Sequence, residues 1–440
     1  MADAEKPRQS LATSYTHETV DDSYAPSSPR TLVPHDDRAE DEFPDGGIQA
    51  WLTVLGAFLS LYCSFGQLNA FGTFQSWYAE HQLQAYPAFT ISWIGSLQLW
   101  VFFFSGGFIG RITDERGPRF LMIPGTLVLI FSMMITSICT SYYEYVLCQG
   151  ILTGLGIGMV FYPSLSAIAT HFKRYRATAI GIAMTGSGIG GVIYPIMYRR
   201  LFSLVGFGWA VRISAFICLA LSTVALVTVR SRLPPGPRKR AWFDIESFRD
   251  VRFTIVAVGS IFISFGLFMP NFYIVDYSIS HSVPTTTAFY VLAILNAGSV
   301  PGRLLPSLLS DTVGRFNIIV PCVFLSGLLT LALWTSCKDL ASIVVYAALF
   351  GFFSGGFNAL IISCVAQISE IQSVGTRVGM LYTIISFPSL GGGPAAGALV
   401  KHAHGSYTGL IVLSGATVLT GSLFMLLARL KIDRRLSARV

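Results

Sequence analysis

Residues 110–119 read GRITDERGPR and residues 307–315 read SLLSDTVGR. Each sets an Asp three places before a Gly and beside a basic residue: Asp114, Gly117 and Arg119 in the first, Asp311, Gly314 and Arg315 in the second. The second Asp follows the first by 197 residues (311 − 114). Other features repeat at nearly that offset. Gly154, Gly156 and Gly158 are answered by Gly351, Gly355 and Gly356. SGIGGVIYP, ending at Pro195, is answered by SLGGGP, ending at Pro394, 199 residues later (394 − 195). Three matches in one order at one offset read as a duplicated unit.

The nature of the unit follows from what surrounds these loops. Hydrophobic residues make up 52% of the 440 and charged residues 12%, about half the usual charged share of a soluble domain. Apolar stretches of about 20 residues recur, each long enough to cross a hydrocarbon core of about 30 Å as a helix. Their spacing predicts spans at 50–74, 90–110, 120–140, 145–169, 177–198, 209–229, 253–275, 287–310, 316–336, 341–366, 377–400 and 407–430. Short segments of alternating polarity, the mark of a membrane barrel, are missing. The expected fold is an all-α membrane protein with twelve transmembrane helices in two pseudo-symmetric six-helix bundles. Residues 48–230 would form the first bundle and 253–430 the second. Residues 231–252, with paired prolines and a basic cluster, would link them, and Trp242, Phe243, Ile245 and Phe248 could lie on the membrane surface as a short helix. Residues 1–47, rich in Ser, Thr, Pro, Asp and Glu, are expected to be a disordered tail without a secretory signal, and 431–440 a second tail.

The net charge of +7 is unevenly spread. Lys and Arg crowd alternate connections: Arg111, Arg116 and Arg119, then Lys173, Arg174 and Arg176, then the 230–252 segment and the C-terminal tail. The opposite connections hold Arg199, Arg200, Lys338 and Lys401. The positive-inside rule puts the rich side and both termini in the cytosol. The charge therefore reflects topology and anionic lipid, and a nucleic-acid partner is not expected. The seven Cys lack CxxC spacing and the seven His lack metal-ligand spacing, so neither a disulfide framework nor a metal site is expected. GSGIGG (186–191) has no strand before it and lies in a membrane span, so it reads as close helix packing rather than a dinucleotide loop.

One charge lies deep in a span. Arg303 precedes Asp311 by eight residues (311 − 303), roughly 12 Å along a helix. A cation at that depth costs a few kcal/mol and normally faces a cavity or a partner. A guanidinium facing a cavity suits a carboxylate, which it can hold with two parallel bonds; the bland alternative is bonding to carbonyls freed by Pro301 and Pro306. Gln67 and Asn69 in the first span, Tyr162 in the fourth, Asn271 and Tyr273 after Pro270 in the seventh, Asn296 in the eighth and Asn358 in the tenth are further candidates for a solute cavity. Helix-to-helix bonding is an equal reading for each. Gly in the two loops permits tight turns, and Asp can cap a helix or pair with Arg between the bundles. Asp114, Gly117, Arg119, Asp311, Gly314 and Arg315 are thus the expected gating seam.

GRITDERGPR resembles the signature between the second and third helices of the major facilitator superfamily, with Gly110, Asp114, Gly117 and Arg119 at its Gly, Asp, Gly and final basic positions. Glu115 and Pro118 replace residues that are usually basic there. Within that superfamily the chain is similar to the fungal branch of the monocarboxylate porters. PDGGIQAWLTVLGAF (44–58), GILTGLGIGMVFYPSLSAIATHFKRYRATAIGIAMTGSGIGG (150–191) and GSVPGRLLPSLLSDTVGR (298–315) carry that likeness. The resemblance implies a substrate-binding Arg in the eighth helix, the place of Arg303. Animal members have an Asp four residues earlier, where this chain has Ser299, and a Lys in the first helix, where it has Asn69.

Together these point to a transporter, not an enzyme, that moves a small organic solute, a carboxylate by the main reading, by alternating access in the plasma membrane. It would act as a monomer without a cofactor, and proton coupling stays open. Export of a fungal secondary metabolite in the same fold is the nearest alternative, and a non-transporting membrane sensor is the alternative of another class.

Overall fold

Hydrocarbon offers backbone N–H and C=O groups no partner, so a chain this apolar must satisfy them within helices. The computed structural model describes residues 45–232, 249–435 and 438–440. The N-terminal tail to residue 44 and the surface helix expected around Trp242 to Phe248 lie outside the described residues. Among the described residues, eleven helices are long and apolar enough to cross a membrane. One of them, Arg176–Thr228, has 53 residues, about 80 Å of helix against a core of about 30 Å. It breaks at Gly206, whose φ of 75° and ψ of 167° suit only glycine. This one helix therefore makes two crossings, and twelve result.

In chain order the crossings are α1 (Ile48–Glu80), α2 (Ala88–Arg116), α3 (Pro118–Thr136), α4 (Tyr142–His171), α5 (176–205), α6 (207–228), α7 (Val251–Ser280), α8 (Thr285–Val313), α9 (Arg315–Ala332), α10 (Leu340–Gln367), α11 (Val374–His402) and α12 (Thr408–Ile432). The expected spans match these one for one, with ends shifted by up to seven residues, and no loop parts α5 from α6. The two quoted loops end α2 and α8 alike. Gly117 (φ 81°) and Gly314 (φ 117°) close the helices with positive φ, and Pro118 then opens α3 where its missing N–H costs nothing.

The duplicated units differ little in plan. α1 is interrupted at Ser64 and at Ala70, and α7 at Phe268, two residues before Pro270. The first helix of each half is thus bent near its middle, and Phe65 and Phe268 at those bends face a common space. Asp250 and Asp339 cap α7 and α10 by accepting the backbone N–H of Arg252 and Ser342. The seven cysteines are free and buried. Phe43–Val440 forms one compact unit, with α2 packed along α11 and α5 along α8 where the halves meet.

Candidate functional site

α1, α2, α4 and α5 of the first half and α7, α8, α10 and α11 of the second surround a chamber whose lining includes Arg303. Phe65, Phe103, Phe161, Phe268 and Phe357 are the largest group in its wall, and Ser260, Ser264, Asn358 and Tyr382 are its polar members besides the guanidinium. The cavity volume is about 20 Å³. One water needs nearly that much. In this conformation the walls have closed on Arg303, and any larger solute must part them.

Arg303 is 4% exposed. Its Nη1 donates to Ser187 Oγ at 2.6 Å and to the Met184 carbonyl at 3.1 Å, both on α5, so the guanidinium reaches from one half to the other. Its Nε has no partner. Neither lipid nor a full shell of carbonyls receives this cation, and it has no acidic neighbour in the chamber lining. Ser260, buried on α7, also leaves its hydroxyl unpartnered, whereas most serines in these helices bond back to a carbonyl three or four residues earlier. A buried donor without a partner is costly, so the two free groups and the Asn358 amide leave a polar surface with unmet capacity.

The other candidates are placed differently. Asn69 donates at 3.4 Å to the Ser187 carbonyl, next to the guanidinium's acceptor but outside the lining. Gln67 lies within the first half, donating to Ser214 Oγ at 2.6 Å and accepting from Tyr198 at 2.8 Å. Tyr162 donates to the Phe102 carbonyl and stacks on that ring. Asn271 and Asn296 bond back to Leu267 and Leu292 on their own helices, and Tyr273 donates to the Gly393 carbonyl. In a low-dielectric bundle a polar side chain takes the nearest partner, and these six find theirs on their own or a neighbouring helix, outside the chamber lining. Ser187, Met184, Ser260 and Tyr382 were not foreseen, because a lone Ser or Met in an apolar span carries no signal of its own.

Below the chamber the halves are joined by the repeated loops. Asp311 accepts from the backbone N–H of Ala177 (3.2 Å) and Thr178 (2.7 Å), the open first turn of α5. Asp114 accepts from the N–H of Thr376 (2.7 Å) and from its hydroxyl (2.8 Å), in the first turn of α11. Each carboxylate thus caps a helix of the other half, where unpaired N–H groups and the helix dipole both favour a negative charge. Arg315 crosses as well, donating to the Lys173 carbonyl at 2.7 Å. Arg119 does not: it donates to the carbonyls of Val227 and Val229 at the end of α6 in its own half. Arg377, at the start of α11, pairs with Asp250 at 3.4 Å. Burial pushes the Asp250 carboxyl up, but bonds from Arg252 and the charges of Arg252 and Arg377 outweigh it and hold the group below its usual value.

Residues 54–337 match the family model described as the Major Facilitator Superfamily. The MFS transporter asaE of Aspergillus flavus is 40% identical over 408 residues, 92% of this chain and 92% of its own. The aspyridones efflux protein apdF of Emericella nidulans is 39% identical over 381 residues, 86% of this chain and 77% of its own. Among solved structures, the E. coli fucose:proton symporter FucP superposes with a TM-score of 0.68 at 12% identity, covering 86% of this chain and 98% of its own. At that identity the likeness is one of fold.

Proposed function

The chain belongs to the Major Facilitator Superfamily, and from that premise we propose that it exports an organic acid with a bulky apolar body, of the kind fungi make as secondary metabolites. It is a multi-pass membrane transporter of this superfamily; the cargo and the direction of transport are the proposal. The observation that carries the reading is the composition of the chamber: one buried guanidinium with a free Nε among five phenylalanines. A solute that satisfies both needs an anionic group for Arg303 and enough apolar surface to replace ring-to-ring contacts. The name of the aspyridones efflux protein supports export. Uptake of a small monocarboxylate fits less well, because Ser299 and Asn69 stand where the resemblance leads one to expect an acid and a Lys.

In this reading the face bearing the basic loops is cytosolic and the membrane is the plasma membrane. The present conformation has that face shut by the Asp114 and Asp311 caps. Loading requires the caps to release α11 and α5, so that the halves rock apart around the chamber. A sensor without transport would have little use for a paired set of releasable caps around a polar chamber.

The test compares cells carrying the gene, cells without it, and cells carrying Arg303→Gln, with culture medium and cell extract each profiled by mass spectrometry. At least one organic acid should be retained inside deletion cells, its outside-to-inside ratio falling at least tenfold. Arg303→Gln should match the deletion at normal protein level. An outside-to-inside ratio unchanged for every acid, or a fully active Arg303→Gln, would end the proposal.

A further inference from the structure

The bonds that hold Arg303 come from the opposite half, and their chemistry makes them replaceable. Ser187 Oγ donates its proton to the Met184 carbonyl at 2.7 Å, so it meets Arg303 Nη1 only as an acceptor, at 2.6 Å. The Met184 carbonyl is the second acceptor. Both are neutral. A carboxylate offers the same guanidinium an opposite charge and two parallel bonds, which neither neutral oxygen can match. When Arg303 leaves, Ser187 keeps its bond to Met184, so no buried donor is stranded on α5.

The socket is shaped for a guanidinium. Gly188 lies beside it, and a Cβ there would stand 3.0 Å from Arg303 Nη1 and 2.8 Å from Val300 Cγ2. A larger residue would crowd both, so that Val300, the guanidinium or the helix would have to shift. Asn69 bonds to the Ser187 carbonyl from α1 and so fixes the segment from behind. The small residues of GSGIGG therefore include a hydroxyl acceptor and a space in which a cation from the other half can lodge.

We infer that Ser187 and Gly188 form a clasp that holds Arg303 and ties α8 to α5 while the transporter is empty, and that an anionic solute opens the clasp by taking Arg303 for itself. Ser187 is a positioning residue in this scheme, since it acts through Arg303. The inference rests on the reading of Arg303 as the solute's anchor. A ligand shifts a conformational equilibrium only by binding one state better than another. Here the preferred state is the unclasped one, so binding cuts a link between the halves as it forms. No titratable partner for Arg303 is required.

The test uses the full chain in lipid nanodiscs and proteoliposomes, with 1-naphthoate as an aromatic carboxylate probe. Ser187→Ala should bind 1-naphthoate about tenfold more tightly, ~1.4 kcal/mol, because the probe no longer competes with the hydroxyl. Its turnover should fall severalfold, because binding no longer releases the link. Ser187→Thr, which keeps the acceptor, should restore both. Without any ligand, spin labels at the exposed positions Leu204 and Tyr290, on α5 and α8, should give a longer and broader distance distribution in Ser187→Ala than in the wild type or Ser187→Thr. Unchanged affinity and unchanged unloaded distances in Ser187→Ala would overturn the clasp, and so would a Ser187→Thr that behaves like Ser187→Ala. Should the wild type bind no 1-naphthoate, the unloaded distances decide alone. Arg303→Gln measured beside them separates the two ideas: normal export by that variant removes the anchor, whereas a silent Ser187→Ala with a dead Arg303→Gln removes only the clasp.

Discussion

Where α2 meets α11, backbone lies on backbone: a Cβ on Gly379 would run into the Gly106 carbonyl, and one on Gly110 into the Gly375 carbonyl. Where α5 meets α8, a cation reaches across to neutral oxygens at Ser187 and Met184, and Arg315 reaches across again near the loop. Both seams end in the same device, an Asp of the repeated loop capping a helix of the other half. The duplication has therefore kept the caps and let the middles diverge. Contact between glycines depends on shape and falls off over a fraction of an ångström. A guanidinium on neutral acceptors depends on charge and can be exchanged for an anion. On the proposed reading, one seam would serve as a bearing and the other would respond to cargo.

The sharpest way to break that contrast is to put bulk in the bearing. Gly379→Leu places a branched side chain where the Gly106 carbonyl already lies. Overpacking of this kind costs about 1–3 kcal/mol or more even where neighbours can shift, and here the neighbour is helix backbone. The variant should lose the monodisperse peak of the wild type in size-exclusion chromatography, with little folded protein recovered. A variant of wild-type yield and elution would mean that the two helices are not held at backbone contact.

A smaller effect, and a cleaner comparison, comes from the caps. Asp114→Asn and Asp311→Asn keep shape and remove charge. Losing the charge at a helix N-terminus, together with a weakened cap, should shift the balance from shut to open by about tenfold each, ~1.4 kcal/mol. Single cysteines placed at the basic end of each seam, with maleimide labelling rates as readout, report the two seams separately. If the halves rock as rigid bodies, either substitution raises labelling at both seams and the double substitution multiplies the effects. If each seam opens alone, each substitution raises labelling only at its own.

The repeat that set the fold was legible because a duplicated loop leaves the same letters twice: Asp114 and Asp311 needed no structure to be paired, and the apolar lengths bounded each crossing. The joining of α5 to α6 was not legible, since one glycine at 206 replaces the loop that a composition change would have marked. The chamber was legible only at its charge. Arg303 stands out because a cation is rare in a span, and Asn358 was named for its polarity alone. Gln67, Tyr162, Asn271, Tyr273 and Asn296 carried the same polarity, yet each of them bonds to an oxygen on its own or a neighbouring helix. Which of two uses a polar group serves depends on a few ångströms of helix rotation, and no spacing in one chain records that.

The smallest test asks whether a polar pin in the bearing resembles the clasp. Thr383 Oγ1, on α11, donates to the Phe104 carbonyl at 2.9 Å and accepts the Gly107 N–H at 2.9 Å, so a hydroxyl links this seam too. Unlike Ser187, it holds only backbone groups, which have no charge to offer a solute, and it lies outside the chamber lining. Thr383→Val keeps nearly the same volume and removes both bonds. Two neutral hydrogen bonds are worth about 1 kcal/mol each in net stability, so the unfolding midpoint should fall by a few degrees while 1-naphthoate affinity stays as in the wild type. Ser187→Ala should show the reverse pattern, with affinity changed far more than the midpoint. If Thr383→Val also tightens binding, loosening either seam is enough to admit the probe, and the distinction between bearing and clasp falls with it.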